Sequence, residues 1–352
     1  MNPSSPPKND LSPFPFLPVA ASLRPASSRK KNVALAARIR MFARFIHTAM
    51  LNKLSCILVT AFALLLALPV GAAPRSEHIF IISFDQGAPA GIAKAEMPLF
   101  KKMAAQGAHT WEAYTIVPSS TLPSHTSMLT GVGIQKHQIL WNDTWTAQKP
   151  QLRVPTIFNL AKAANSKAVT AVCTSKQKFE LFKARGDIDH FVLLNGGSSI
   201  SIAQAFARKV AMRKPNVCLI HFGDIDGAGH AYGINSPEKM KAFANSDRAL
   251  KIIYEAVDKA GIAANSTFIF TADHGCHDIV GRSGKARGVH GSAETADVTI
   301  PWVAFGKAVK PGFTITAPVV QYDTAATALW LLDIPIPDGF WGRPVTSAFK
   351  TE

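Results

Sequence analysis

Cysteine is scarce in this chain: four residues in 352, at Cys56, Cys173, Cys218 and Cys276. No two stand at a paired spacing, so no disulfide framework is legible. Acidic residues are also few, 23 against 38 Lys and Arg. The basic excess does not interleave with aromatics in any stripe, which argues against specific nucleic-acid binding. No apolar run reaches the ~20 residues that a membrane-spanning helix needs. There is no internal repeat, and no linker divides residues 75–350. A hydrophobic fraction of 47% with 17% charged residues then leaves a globular protein with ample length for a core.

Much of the charge excess lies at the N-terminus. "MLNKLSCILVTAFALLLALPVGAAPR", from Met50, has a basic start at Lys53, an apolar run from Cys56 to Val70, then small residues. Val70 and Ala72 suit the −3 and −1 positions of a signal-peptidase site, so cleavage is predicted after Ala72. Residues 50–72 are read as a signal peptide. Residues 1–49 are read as a disordered extension or a start assigned upstream of the true one. Removing nine basic residues and one acid from 38 and 23 leaves 29 and 22, a net of +7 instead of +15. The expectation is a periplasmic or secreted protein with no stable membrane anchor, suited to a small anionic substrate. Nothing in the sequence addresses the oligomeric state.

From residue 73 onward two patterns alternate. Short apolar runs at 78–84, 168–175, 216–223, 266–273 and 298–306 read as strands. Segments with helical periodicity separate them: Ile92 to Gln106, Thr156 to Ala164, Ile202 to Arg213, Pro237 to Ala260 and Thr324 to Leu332. Continuous apolar strands alternating with helices predict one α/β domain over 73–352. Its mostly parallel central sheet should carry helices on both faces.

The residues after the strands carry the chemistry. One strand runs into Asp85, one into Asp224 and Asp226, and one into Asp273 and His274. Ligands in open α/β sheets bind beyond the carboxyl ends of the strands, so three strands deliver acids or imidazoles to one edge. "DGAGH" spaces Asp226 and His230 four apart, and its glycines predict a tight loop. "GVHG" adds His290. Imidazole and carboxylate without thiolate suit a catalytic zinc, whereas Mg²⁺ prefers oxygen ligands.

Asp85 after a first strand, then "TLPSHTSMLTG", "DGAGH", "ADHG" and "HG" in this order, resemble the alkaline phosphatase superfamily. The resemblance is to its type I phosphodiesterase/nucleotide pyrophosphatase family and covers about residues 77–348. It implies an alkaline-phosphatase-like fold and two Zn²⁺ ions. Asp226, His230 and His290 would hold one; Asp85, Asp273 and His274, with the Thr121 oxygen, the other. It also implies that Asn142 in "KHQILWND" binds phosphate. Thr121 is then the expected nucleophile, because a bound cation stabilises its alkoxide without a neighbouring base. It should sit where a short helix begins, its N–H groups facing the phosphate. Asp85 is followed by Gln86-Gly87 where the family has Gly directly, a departure expected to be neutral. The stretch between His230 and Asp273 is short, which leaves specificity open.

The expected activity is hydrolysis of phosphodiester or pyrophosphate bonds through a phospho-threonine. Lys176 and Lys178, just past a strand end, leave an alternative open. They are either a solvated pair or, in an extended segment, two ammonium groups aimed at the phosphate. The second arrangement resembles that of monoester- and phosphonate-cleaving relatives. A sulfatase would need a convertible Cys or Ser followed by Pro and Arg, which Thr121–His125 lacks. A cofactor-independent mutase fits poorly with an export signal, and a binding protein with a decayed site fits poorly with a full ligand set. Ser119 and Ser120 are expected to be bystanders and Ser124 a cap. His125 is expected to be structural, Asp224 to stand behind the ligands, and His137 and His277 to ligate nothing.

Overall fold

A computed structural model describes residues 75–350, together with five helical positions upstream: Arg40, Met41, Arg44, His47 and Met50. The chain separates into two units, Met1–Gly71 and Ala72–Glu352. The predicted signal peptide, its cleavage site and the extension at 1–49 lie, apart from those five positions, outside the described residues. Among the described residues no helix is long and apolar enough to cross a membrane.

The second unit is built on an eight-stranded sheet in the order β10-β2-β9-β6-β1-β5-β3-β4. Its strands are β1 (His78–Phe84), β2 (Ala108–Tyr114), β3 (Thr170–Thr174), β4 (His190–Leu193), β5 (Val217–Phe222), β6 (Ser266–Thr271), β9 (Thr299–Gly306) and β10 (Phe313–Thr314). Only β9 runs against the rest, antiparallel to both β6 and β2. A separate hairpin pairs β7 (His277–Val280) with β8 (Ala286–Val289). The helices are α1 (Pro89–Lys94), α2 (Pro98–Gln106), α3 (Thr121–Thr130), α4 (Ile134–His137), α5 (Ile157–Ala164), α6 (Glu180–Arg185), α7 (Ser199–Lys209), α8 (Asp224–Tyr232), α9 (Pro237–Lys259), α10 (Thr295–Val298) and α11 (Asp323–Leu331).

Strand alternation divides the core into two layers. Ile79 and Ile81 of β1 face the layer that holds Leu122, Phe158 and Leu329. Phe80, Ile82 and Phe84 face the opposite layer, with Phe100, Phe206 and Phe243. With both faces covered, β1 is buried along its whole length, as its largely apolar sequence predicts. Truncating Phe80, fully buried and stacked on Phe268 at 5.1 Å, would cost about 3–5 kcal/mol.

Three local expectations are corrected. The periodic segment at 92–106 is two helices, because Pro98 lacks the N–H a continuous helix would need and instead starts α2. "DGAGH" is not a tight loop but part of the nine-residue helix α8. Ser124 is no cap: it lies one turn inside α3, its Oγ accepting from Thr115 at 3.0 Å.

Candidate active site

Helix α3 passes through the interior with all ten residues buried, which explains its small and hydroxylated sequence. Thr126 and Thr130 return their hydroxyls to the carbonyls of Leu122 and Thr126, at 2.7 and 2.6 Å, so neither enters the core unsatisfied. Ser120 is the extended residue before the helix and makes no side-chain cap. In the first turn Pro123 has no N–H, and Ser124 N–H returns to Ser120 O at 3.0 Å. Leu122 N–H donates to Asn142 Oδ1 at 2.9 Å. Thr121, 1% exposed, is the first helical residue. Its Oγ1 lies 3.4 Å from Lys176 Nζ and 3.5 Å from His274 Nε2.

Around that hydroxyl the strand ends converge. Asp85 follows β1, its N–H still bonded to Phe222 O in the ladder at 3.0 Å. Asp273 and His274 follow β6. Asp226 and His230, four apart, share one face of α8, with Nε2 and Oδ1 3.1 Å apart. His290, after β8, places Nε2 3.3 Å from His230 Nε2 and 3.7 Å from Asp226 Oδ1. Two groups thus have donor atoms within reach of one ion: Asp226, His230 and His290, and Asp85, Asp226 and His274.

The hydrogen bonds show which lone pairs are free. His230 Nδ1 bonds to Gly288 O at 2.8 Å, His274 Nδ1 to Gly275 O at 2.9 Å, and His290 Nδ1 to Ser119 O at 2.9 Å. A carbonyl can only accept, so each Nδ1 carries a proton and each ring turns its Nε2 inward. Such backbone partners orient metal-bound histidines. Burial, with the neighbouring His290, pushes His274 down to about 3; burial also lowers His290. The Asp226 bond raises His230.

Asp85 Oδ1 and Asp273 Oδ2 are buried without a hydrogen-bond partner, a costly arrangement unless a cation completes it. Three carboxylates stand here against two lysines, Lys178 and Lys176, the latter with Nζ 2.5 Å from Asp85 Oδ2 and 2.6 Å from Asp226 Oδ2. Imidazole nitrogens facing each other at 3.3 Å, orphaned oxygens and uncompensated negative charge all fit divalent cations. Burial opposes ionisation of Asp85, but Lys176 and His221 outweigh it and hold its carboxyl well below the usual range. Burial and the Asp85 charge push Asp273 the other way. Burial would lower Lys176, yet Asp85 and Asp226 raise it.

Every predicted site residue lies in this one region. Lys178, on a 3₁₀ turn at Gln177–Phe179, donates to Asn142 Oδ1 at 2.9 Å. The segment is not extended as expected, because Phe179 turns back to bury completely, but both ammonium groups still reach the site. Asn142 Oδ1 is thereby occupied twice, and its NH₂ end is what remains to meet an anion. His125 is structural: Nδ1 donates to Thr121 O and Nε2 accepts from Ser83 Oγ, both at 2.8 Å. His137 bonds Ser127 and Ile139, and His277 bonds Asp297, all apart from the ligand set.

Other expectations change. Ser119 is no bystander, since its carbonyl fixes His290 and its Oγ holds the loop at Gly291 and Ser292. Asp224 does not stand behind the ligands. It accepts the Ser199 N–H at 3.0 Å and the Ser199 hydroxyl, anchoring the start of α7. Gln86 is not neutral: it is fully buried, and its Nε2 donates to Asp226 Oδ1 at 3.0 Å. His221 was not singled out, and its Nε2 donates to Asp85 Oδ2 at 2.9 Å. Its signal was an imidazole inside an otherwise apolar strand, one residue from that strand's end.

An open sheet that delivers carboxylates and imidazoles around one hydroxyl is the alkaline-phosphatase-like arrangement. A family model described as type I phosphodiesterase/nucleotide pyrophosphatase matches residues 79–299, and the chain belongs to that family. Human ectonucleotide pyrophosphatase/phosphodiesterase family member 7 is 22% identical over 251 residues, 65% of this chain and 55% of that protein. GPI ethanolamine phosphate transferase 1 of Aspergillus oryzae is 28% identical over 118 residues, 33% of this chain and 11% of that protein. The chain spans about half the length of the ectonucleotide relatives it matches. Murine ectonucleotide pyrophosphatase/phosphodiesterase 5, solved as an inactive variant with AMP, shares the fold with TM-score 0.62 at 15% identity. That match covers 78% of this chain and 100% of the solved one.

Proposed function

We infer that the chain is an exported two-zinc hydrolase of phosphodiester or pyrophosphate bonds in small phosphoesters, working through a phospho-threonine at Thr121. The observation that supports this most is the placement of Thr121 Oγ1, at the start of α3 and 3.5 Å from His274 Nε2. Asp226, His230 and His290 would hold one zinc, and Asp85, Asp273 and His274 the other. The ions would supply charge that lowers the pKa of the hydroxyl and neutralises the phosphoryl oxygens.

The rest of the chemistry belongs to the chain. Thr121 Oγ1, its proton given up to solvent, attacks phosphorus as the P–O bond to the in-line leaving group breaks. The leaving oxygen takes a proton from solvent, and water later splits the phospho-threonine bond and restores the hydroxyl. The positive end of the α3 dipole faces the phosphoryl oxygens. Asn142 donates to one of them through its NH₂. His125 takes no proton, because both its ring nitrogens are committed.

A second reading, a phosphomonoesterase or phosphonate hydrolase, is favoured by the two lysines. Lys176 Nζ lies 3.4 Å from Thr121 Oγ1, and Lys178 meets the phosphate-facing Asn142. A monoester carries nearly one more negative charge on phosphorus than a diester. One added cation at 4 Å is worth about 4 kcal/mol at an effective dielectric of ~20, before desolvation. Kinetics on an aryl phosphate diester and the matching monoester separate the two readings, with the diester expected to be the better substrate. Lys176→Ala/Lys178→Ala should cut monoester turnover far more than diester turnover. Equal losses, or none, would remove the lysines from substrate choice.

A further inference from the structure

Lys239 is a buried amine that the chemistry above does not use. It lies in the first turn of α9, 2% exposed. Its Nζ donates to Gln86 Oε1 at 2.5 Å and to Cys276 Sγ at 3.1 Å. Neither partner is a carboxylate. Burying an ammonium costs several kcal/mol, and here the expense meets a neutral amide and a thiol.

Gln86 connects this amine to the site. It adopts a left-handed backbone conformation, φ 63°, unusual for a residue with a side chain. Its N–H bonds Asp273 Oδ1 at 3.1 Å, and its side chain is buried. An ammonium can only donate, so the amide oxygen must face Lys239 and the NH₂ must face Asp226. Gly229 of α8 makes the room, because a Cβ there would fall on Gln86 Oε1. The NH₂ reaches Asp226 Oδ1, the same oxygen that lies 3.1 Å from His230 Nε2 and 3.7 Å from His290 Nε2. One lone pair of that oxygen is thus tied, and the other is directed at the histidine pair.

We propose that Lys239 and Gln86 are positioning residues, a relay that holds the Asp226 oxygen where a divalent cation bound by His230 and His290 needs it. This rests on the two-zinc reading above. Lys239 fixes the orientation of the Gln86 amide, and Gln86 fixes the rotamer of Asp226. The two act in series, so breaking either link releases the same oxygen.

The test titrates Zn²⁺ into the metal-stripped full chain against a chromogenic chelator. Gln86→Met keeps the length of the side chain and removes the donor; Lys239→Met does the same for the ammonium. Each single variant should weaken one of two zinc equivalents by about 10–100-fold, leaving the other near wild type. The double variant should be no weaker than the worse single one, and excess Zn²⁺ should restore diester turnover. Circular dichroism and thermal unfolding establish that each variant is folded; if Lys239→Met is not, Gln86→Met carries the test. A folded Gln86→Met with both zinc affinities unchanged overturns the relay, as does a double loss equal to the product of the single ones. Wild-type chain that binds no zinc overturns the two-zinc reading, and the relay with it.

Discussion

The nucleophilic role proposed for Thr121 rests on its position. As the first residue of α3 it has the positive end of the helix dipole behind it and His274 beside it, and it lies within reach of the carboxylate set through Lys176. Thr121→Ala should abolish turnover, while folding and zinc content remain near wild type. Thr121→Ser retains a hydroxyl and should retain measurable activity. Steady-state rates with metal analysis check both, and an alanine variant within tenfold of wild type would contradict the covalent route. The aspartates and histidines proposed as ligands were legible because they stand immediately after apolar strands or beside glycines. Gln86, His221 and Lys239 were not, because each acts through a partner more than a hundred residues away in sequence. No local pattern marks a side chain whose role exists only after folding.

Helix α8 places two contrasting glycines next to the ligands. A Cβ on Gly227 would meet nothing within 4 Å, whereas one on Gly229 would fall on Gln86. Gly227→Ala should therefore stabilise the fold by about 0.5–1 kcal/mol through helix propensity. Gly229→Ala should displace Gln86, destabilise the fold and lower activity. Urea unfolding with diester kinetics on both variants measures this, and equal behaviour would refute the packing argument. The glycines suggested a loop because propensity opposes them in a helix; tertiary contact with Gln86 and the hairpin overrides it. The end of α4 should carry a pH dependence through His137, its last residue. His137 is 3% exposed, its Nδ1 accepts Ile139 N–H and its Nε2 donates to Ser127 Oγ, both at 3.0 Å. Burial pushes it down to about 4 from 6.5. Between those values the unfolded chain binds a proton that the folded chain excludes, so stability falls as pH drops from 6.5 toward 4. The loss should be about 2 kcal/mol by pH 5. His137→Gln should flatten that slope in urea titrations; parallel slopes would show that His137 does not carry it.

At the scale of the molecule, the centre of the sheet was legible and its margins were not. β1, β5, β6 and β3 are buried on both faces and read as largely apolar runs. β2, with the sequence AHTWEAY, mixes exposed and buried positions, β4 has four residues, and β7–β8 is a partly exposed hairpin. Their pairing depends on neighbours, not on their own composition. Export bears on the same scale, and protein recovered from the periplasm or medium should begin at Ala73. The account as a whole depends on metal at the point where three carboxylates and three imidazoles meet. The most direct measurement is diester turnover by the purified chain after exhaustive chelation, with metal absence verified, and again after Zn²⁺ or Mg²⁺ is returned. The account predicts loss of turnover, then recovery with Zn²⁺ beyond that with Mg²⁺, at close to two zinc ions per chain. Undiminished turnover by the metal-free chain would contradict it.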